Sequence, residues 1–480
     1  MTLRDYLLGI PNTTAADNLE LAITGVTDDS RQITKGCIYV CITGTRFDGH
    51  AVAAQMLEEG AAMVVVDHDL GLSRQVVVEN TRVAYALLCA NHFGNPAKKL
   101  RMLGVTGTNG KTTITFLIKS ILTAAGRKVG LIGTIQNEII DMVLPAKKTT
   151  PDPYQFHAML ARMVEAGCEF VVMEASSQAL DQHRLEGCRF EVAIFTNLSR
   201  DHLDYHGDME RYFLAKRKLF DICDHAIVNI DDEHGVRLAE ELGRKTVTCS
   251  LQNDAARFTA KNIECAADSS KFVLVTEGLI ERMRVPMPGM FSVMNAMQAA
   301  IAALVVGLPA PQVAAGLSAC KGVIGRAEVL PNGGRDFTII RDFAHGPDSL
   351  EKTLTVLKPF VKGRLVTLFG CAGNRDRTKR PYMGACVAAN SDFVILTSDN
   401  PRDEDPMQII EDTKPGLDQY KTPYRIIPDR YTAIVWAIDN LQPGDMLLLA
   451  GKGHEDYQVL HDETIYLDER LVVEQLLGIQ

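Results

Sequence analysis

At 480 residues the chain is too long for one ordinary hydrophobic core, and usual domain sizes point to two to four domains, with three as the working number. With 46% hydrophobic and 23% charged residues and a mean hydropathy of zero it has the make-up of a globular protein, which excludes wholesale disorder. A formal net charge of −10 argues against a general nucleic-acid binder, while leaving room for a local basic pocket that takes a phosphorylated small molecule.

The N-terminal stretch MTLRDYLLGIPNTTAADN lacks the basic start and long apolar region of a signal peptide. No run approaches the roughly 18 apolar residues of a membrane span, so a cytoplasmic location without membrane insertion is expected. The eleven cysteines are scattered, without CxxC pairs or zinc spacing, and are read as reduced and mostly buried. Through the first hundred residues, apolar runs (GCIYVCI, AAMVVVD, RQVVVEN) alternate with helix-like stretches (HAVAAQMLEEG, TRVAYALLCANHFG), the rhythm of a small α/β domain that ends at NPAKKL.

A second unit opens with the strand RMLGV and passes through a Gly-rich turn into KTTITFLIKSILTAAG. There Ile114, Leu117, Ile118, Ile121, Leu122 and Ala125 recur at helical spacing and Gly126 is the expected stop. The intervening string GVTGTNGKTT is a variant of the phosphate-binding loop, with Val105 where the first glycine of G-x-x-x-x-G-K-[ST] belongs. Backbone N–H groups of Gly107, Thr108, Asn109, Gly110 and Thr113 are expected around a phosphate chain, with Lys111 on the terminal phosphates and Thr112 on Mg²⁺.

Further apolar runs at EFVVME, EVAIFTNL and DHAIVNID read as a mostly parallel sheet with crossover helices. Glu174 ends the first of these, either as a metal carboxylate or as an ordinary strand-ending acid. Asp201, His202, Asp204 and His206, followed by Lys216, fit metal or phosphate chemistry and fit a solvated loop equally well. Around VPMPGMFSVMNAMQAAIAAL two prolines and a glycine precede a long Ala-rich helix, and a boundary is placed near there. The last third resumes the α/β rhythm at DFTIIRDF, GRLVTLFG, DFVILTSD and DMLLLAG. The loops that follow these strands, AHGPDS, CAGNRDR, NPRDEDP and GKGHEDYQ, are candidates for one shared site, because ligands of open α/β sheets bind at the carboxyl ends of strands. The limits adopted are 1–98, 99–322 and 323–480.

GVTGTNGKTT, MEASSQALDQHR, FTNLSRDHLDYHGD with AKRKLF, the asparagine of MNAMQAA, DFAHGPDS and AGKGHEDYQ together resemble the Mur ligase family of ATP-dependent amino-acid ligases, in order, from about residue 25 to about residue 460. The resemblance implies an α/β protein of three domains: a small N-terminal domain for a UDP-sugar, a central P-loop ATPase-type parallel sheet, and a C-terminal Rossmann-like domain for the incoming amino acid. By that likeness Thr27 and Ser30 contact the uridine part of the substrate, and Thr149, Thr150, Ser176, Gln182 and Arg184 hold sugar and pyrophosphate. Glu174 and His202 bind Mg²⁺, with two ions expected, and Lys216 is expected to be carbamylated. Asn295 meets adenine, Asp342 the ribose, and Arg326 and His345 lie near the phosphates.

SDNPRDEDP further resembles the DNPR signature of diaminopimelate-adding members. It implies that Asp399, Asn400, Pro401 and Arg402, with Arg375, Gly451 and Glu455, take meso-2,6-diaminopimelate, Arg402 pairing with its distal carboxylate and Glu455 with the neighbouring ammonium. The implied reaction joins this amino acid to a UDP-muramoyl dipeptide through an acyl phosphate, by a monomer using ATP. Three alternatives stay open: the same ligation with L-lysine or another diamino acid, a folylpolyglutamate synthetase, and a nucleotide switch without ligase chemistry.

Overall fold

The computed structural model describes all residues except 12–17, 45–46, 267 and 480. Three sheets follow one another along the chain. The first has four parallel strands, Val26–Thr27, Ile38–Val40, Met63–Val66 and Gln75–Val77, side by side in chain order. Its strands are too short to alternate and are nearly all buried, as in a parallel sheet covered on both faces. The helix Thr81–His92 packs on it, capped by Asn80, whose side chain accepts from the amides of Arg82 and Val83.

The second sheet has eleven strands. Its parallel centre runs Thr246–Ser250, Cys223–Asn229, Phe190–Phe195, Arg101–Thr106, Phe170–Glu174, Val129–Ile132. Arg101–Thr106 lies between two strands that come later in the chain, so the loop after it opens where the order reverses. Antiparallel hairpins extend both edges, Gln136–Ile139 with Met142–Pro145 on one side and Ser270–Thr276 with Leu279–Val285 on the other. These hairpins are absent from the sequence reading.

The helix Lys111–Ala124 buries Ile114, Leu117, Ile118, Ile121 and Leu122 completely, each worth about 1.5–3 kcal/mol against exposure. It stops before Gly126, whose φ of +79° suits glycine. The Ala-rich segment forms the helix Met290–Val305, which sits in the same hydrophobic core as Lys111–Ala124. The change of rhythm read there is a helix entering the central core. Small alanine side chains let it approach the sheet closely.

The third sheet has six strands in the order Glu328–Leu330, Thr338–Asp342, Met446–Ala450, Leu365–Phe369, Phe393–Leu396, Tyr424–Ile426, all parallel after the first. The four polar loops thus leave the same edge. Beneath them Arg430, wholly buried, donates to Glu469 (2.8 Å), to the carbonyl of Ala450 (2.8 Å) and to that of Ser398 (3.3 Å). Eleven cysteines are free, and among the described residues no helix is long and apolar enough to cross a membrane.

Candidate active site

Gly107 and Gly110 take φ of +143° and +88°, which prepares the loop between Thr106 and Lys111 to turn its amides inward. At Gly107 a Cβ would lie 1.8 Å from Thr196 Oγ1, so the position admits only glycine. At Gly110 it would lie 2.6 Å from Asn295 Oδ1, which places Asn295 directly against the loop. The segment after Phe195 braces the loop from outside. Asn197 accepts from the amide of Thr108 through its carbonyl (2.9 Å) and from that of Asn109 through Oδ1 (3.0 Å), while Thr196 Oγ1 donates to the Asn109 carbonyl (2.6 Å).

Two lysines converge on one carbonyl. Lys111 donates to Gly107 O and Thr108 O at 2.9 Å each, and Lys216, 2% exposed, donates to Gly107 O at 2.7 Å. Burial lowers the pKa of Lys111, with Arg326 adding to it and Glu174 and Asp201 opposing. Burial pushes Lys216 far below the ordinary lysine range, with Lys111 adding to it. The ring of Tyr212 lies 4.4 Å from Lys216 Nζ.

Glu174, 1% exposed, accepts from Thr112 Oγ1 (3.0 Å), the Thr134 amide (2.8 Å) and Thr134 Oγ1 (3.0 Å). Thr134 in turn touches Thr149 at 3.0 Å, and Thr150 Oγ1 donates to the Glu174 carbonyl (2.7 Å) while accepting from the Ser176 amide (3.0 Å). Arg184 donates to Gln182 (2.7 Å) and to the Thr150 carbonyl (2.9 Å). Asp201 and His202 follow on the neighbouring loop. Burial works against the charge on Asp201, yet His202, His345 and Lys379 around it keep its carboxyl below the ordinary value. Burial brings His202 down to about 4.

The C-terminal unit closes the site. Arg326 reaches Thr112 Oγ1 at 3.3 Å with its guanidinium stacked 4.7 Å over Phe343. His345 Nδ1 lies 2.8 Å from the Phe343 carbonyl. Asp348 Oδ2 accepts from Asn109 (3.2 Å) and Ser199 (3.1 Å), a direct tie between the C-terminal unit and the phosphate loop. A cavity of about 490 Å³ results, lined by Thr108 to Thr113, Thr134, Thr149, Thr150, Glu174, Ser176, Arg184, His202, Lys216, Arg326, His345 and Arg375. Asp342 stands behind it, its carboxylate accepting from the amides of Ala327 (2.6 Å) and Ala344 (2.9 Å), and burial raises its pKa.

The loops carrying Asp399 to Arg402 and Gly451 to Glu455 form a separate cluster, and Arg375, which lines the cavity, acts on Arg402 there. Arg402 donates to the Gly373 carbonyl (2.8 Å) rather than to Asp403 or Glu404. Burial lowers its pKa and Arg375 adds to this, against Asp399 and Glu455. Gly451, at φ +108°, would place a Cβ 2.6 Å from Asp399 Oδ2. Glu455 accepts from Asn400 (2.9 Å) and Lys452 (2.7 Å), and Gly373 N donates to the Asn400 carbonyl at 2.9 Å.

Ser30 lines a different hollow of about 470 Å³ in the N-terminal unit, with Asp28, Asp29, Arg31 and Phe47, and Thr27 Oγ1 accepts from the Asp29 amide beside it (3.1 Å). Asp204 and His206 are not brought to the main cavity: Asp204 is exposed, and buried His206 turns to Ser177 Oγ at 2.9 Å. His50, Asp67 and His68 bring three possible metal-ligand atoms within 4.8 Å of one another, also away from the cavity. Sequence reading missed Thr134, Asn197, Phe343, Asp348 and Lys452. Asn197 lies inside the string FTNLSRDH, Phe343 and Asp348 inside DFAHGPDS and Lys452 inside AGKGHEDYQ; Thr134 is a single residue without a local pattern.

Three family models match in succession: Mur ligase family, catalytic domain, over residues 22–97; Mur ligase middle domain over 105–303; and Mur ligase, glutamate ligase domain, over 325–453. A protein of Clostridium perfringens named UDP-N-acetylmuramoyl-L-alanyl-D-glutamate–2,6-diaminopimelate ligase is 41% identical over 99% of both chains. A solved structure of a ligase with that name superposes with a TM-score of 0.73 at 32% identity, over 100% of this chain and 99% of that one. A MurF ligase from Thermotoga maritima in complex with ADP, 17% identical, shares the fold at a TM-score of 0.63 over 96% of this chain and 97% of that one.

Proposed function

The chain belongs to the Mur ligase family, an ATP-using family, and from that premise we propose that it joins 2,6-diaminopimelate to UDP-N-acetylmuramoyl-L-alanyl-D-glutamate, making ADP and phosphate. One observation carries this reading furthest: Arg375 lines the cavity of the phosphate loop and also acts on Arg402, near which Asp399 and Glu455 lie. A phosphorylated carboxylate and an incoming diamino acid therefore have adjoining places.

A carboxylate oxygen of the acceptor attacks the γ-phosphorus of ATP, and ADP leaves. The loop amides, Lys111 and Arg326 stabilise the charge that spreads over the transferred group. The amine then attacks the acyl carbon, loses a proton, and phosphate departs with the C–O electrons. Enclosure between the central and C-terminal units keeps water from the acyl phosphate and orients the amine.

The oxygen donors of Thr112 and the buried Glu174 suit a hard divalent ion. Glu174, His202 and Lys216 would hold Mg²⁺, which supplies charge neutralisation at the phosphates. Lys216 fits this role only as an anion. Its burial beside Lys111 favours the neutral amine, whose lone pair adds to CO₂ with loss of a proton, giving a carbamate. The second cluster would serve as the distal pocket, Arg402 pairing with a carboxylate and Glu455 with an ammonium. Thr27 and Ser30 would receive the uridine end, and Thr149, Thr150, Ser176, Gln182 and Arg184 the sugar and diphosphate. Asn295 would read adenine, with Asp342 and His345 bordering the ribose and phosphates.

The test offers purified protein the UDP-muramoyl dipeptide, ATP and a panel of amino acids, with the product weighed by mass spectrometry. A product heavier by diaminopimelate, with ADP formed only when both acceptor and amino acid are present, is expected. Equal or better use of lysine, or ADP release without the amino acid, overturns the reading.

A further inference from the structure

Lys452 is buried completely between two glycines in the loop that also carries Glu455. Its Nζ donates to Glu455 Oε2 at 2.7 Å and to Asn400 Oδ1 at 2.9 Å, with the ring of Tyr457 at 5.1 Å. Asn400 Nδ2 donates to the same Oε2 at 2.9 Å, and Asn400 Oδ1 also accepts from the Val459 amide at 2.9 Å. The two loops are thus locked by a closed ring of Lys452, Glu455 and Asn400.

Resting on the reading above, we propose that Lys452 is a specificity-determining residue: its ammonium pre-neutralises Glu455, so that the distal pocket accepts a zwitterionic end and refuses a bare cation.

The charges around that pocket carry the argument. Arg375, Asp399 and Glu455 all act on Arg402, two cations with two anions, and Lys452, paired with Glu455, makes a third cation and is itself without access to solvent. The distal end of a diamino dicarboxylate, one ammonium with one carboxylate, adds no net charge. The distal end of lysine adds a second uncompensated cation in a poorly screened place, where like charges repel strongly. Lys452 further fixes the direction of the Glu455 carboxylate, so that it offers one geometry to the ligand ammonium.

Three variants test this: Lys452→Met, Lys452→Arg and the double Lys452→Met/Glu455→Gln, each checked for folding by circular dichroism. The ratio of kcat/KM for diaminopimelate to that for lysine is measured with ATP and the UDP-muramoyl dipeptide. Lys452→Met is expected to lower the ratio at least tenfold through the amino-acid KM, including a gain in lysine use. Lys452→Arg keeps the ratio within threefold, and the double variant loses the lysine gain, because neither charge remains. An unchanged ratio in Lys452→Met overturns the proposal, as does a lysine gain that persists in the double variant. Should Lys452→Met fail to fold, the double variant, which removes both members of the Lys452–Glu455 pair, and Lys452→Arg decide alone: loss of preference in the arginine variant, or a gain of lysine use in the double one, refutes it. Failure of the wild-type protein to use diaminopimelate would strike the functional reading instead.

Discussion

Glu469→Ala removes half of an ion pair in which neither side chain has any exposure. The guanidinium of Arg430 then keeps only the carbonyls of Ala450 and Ser398, and its charge stays inside the core without a counter-ion. Breaking a buried pair in this way costs about 3–5 kcal/mol. At a slope of roughly 2 kcal/mol per molar urea, the C-terminal unit should unfold about 1.5–2.5 M earlier than in the wild type. The only tryptophan, Trp436, lies on the same helix as Arg430, Arg430–Asp439, and stacks on Phe393 at 5.7 Å, so its fluorescence follows this unit alone. Ser398 and Ala450 directly precede Asp399 and Gly451, so at low urea the KM for the amino acid should rise while that for ATP holds. Glu469→Gln keeps an acceptor and should lose less than half as much. A shift below about 1 kcal/mol in the alanine variant would show that the pair contributes little, and the reasoning would fail.

Lys111→Ala should abolish ligation while circular dichroism and the urea midpoint stay near the wild type; near-normal turnover would remove the phosphate-loop assignment. Lys216→Ala should be inactive and partly rescued by short-chain carboxylates or bicarbonate, and full activity without additives would count against a carbamate. Arg402→Ala should lower kcat/KM for diaminopimelate about 10- to 150-fold, the worth of roughly 1.5–3 kcal/mol for a charged hydrogen-bonded pair, and undiminished use in the same assay would refute the pairing. His157 lies wholly buried in the helix Pro153–Glu165, and burial brings its pKa from 6.5 to about 4. As pH falls from 6.5 the unfolded chain takes up a proton that the folded one refuses until about 4, so stability declines across that interval by about 3 kcal/mol. Urea unfolding followed by circular dichroism at pH 7 and 4.5 should show this decline, and His157→Phe should flatten it; an equal slope in both proteins would refute the assignment.

The phosphate loop was legible because its glycines, lysine and threonine are contiguous and stand between an apolar run and a helical one. The four C-terminal loops were legible for a related reason: parallel strands put every following loop on one edge. Tertiary apposition left no such trace. Thr134 matters because its strand end lies beside Glu174, forty residues later, and Phe343 because Arg326 folds over it. For Asp204 and His206 the choice stayed open because nearness in sequence says nothing of direction; a short helix, Leu203–His206, turns the histidine toward Ser177. Lys452 was hidden inside GKGHEDYQ, where a lysine between glycines looks like solvated loop, although its amine is enclosed.

Asp348 gives the last of these contacts a mechanical meaning. The third sheet leans on the loop of Asn109 and on the segment after Phe195, through the side-chain amide of Asn109 and the hydroxyl of Ser199, both of which donate to Asp348. Through that one carboxylate oxygen the position of the third sheet and the shape of this loop are tied, so a change in either is felt as leverage on the other.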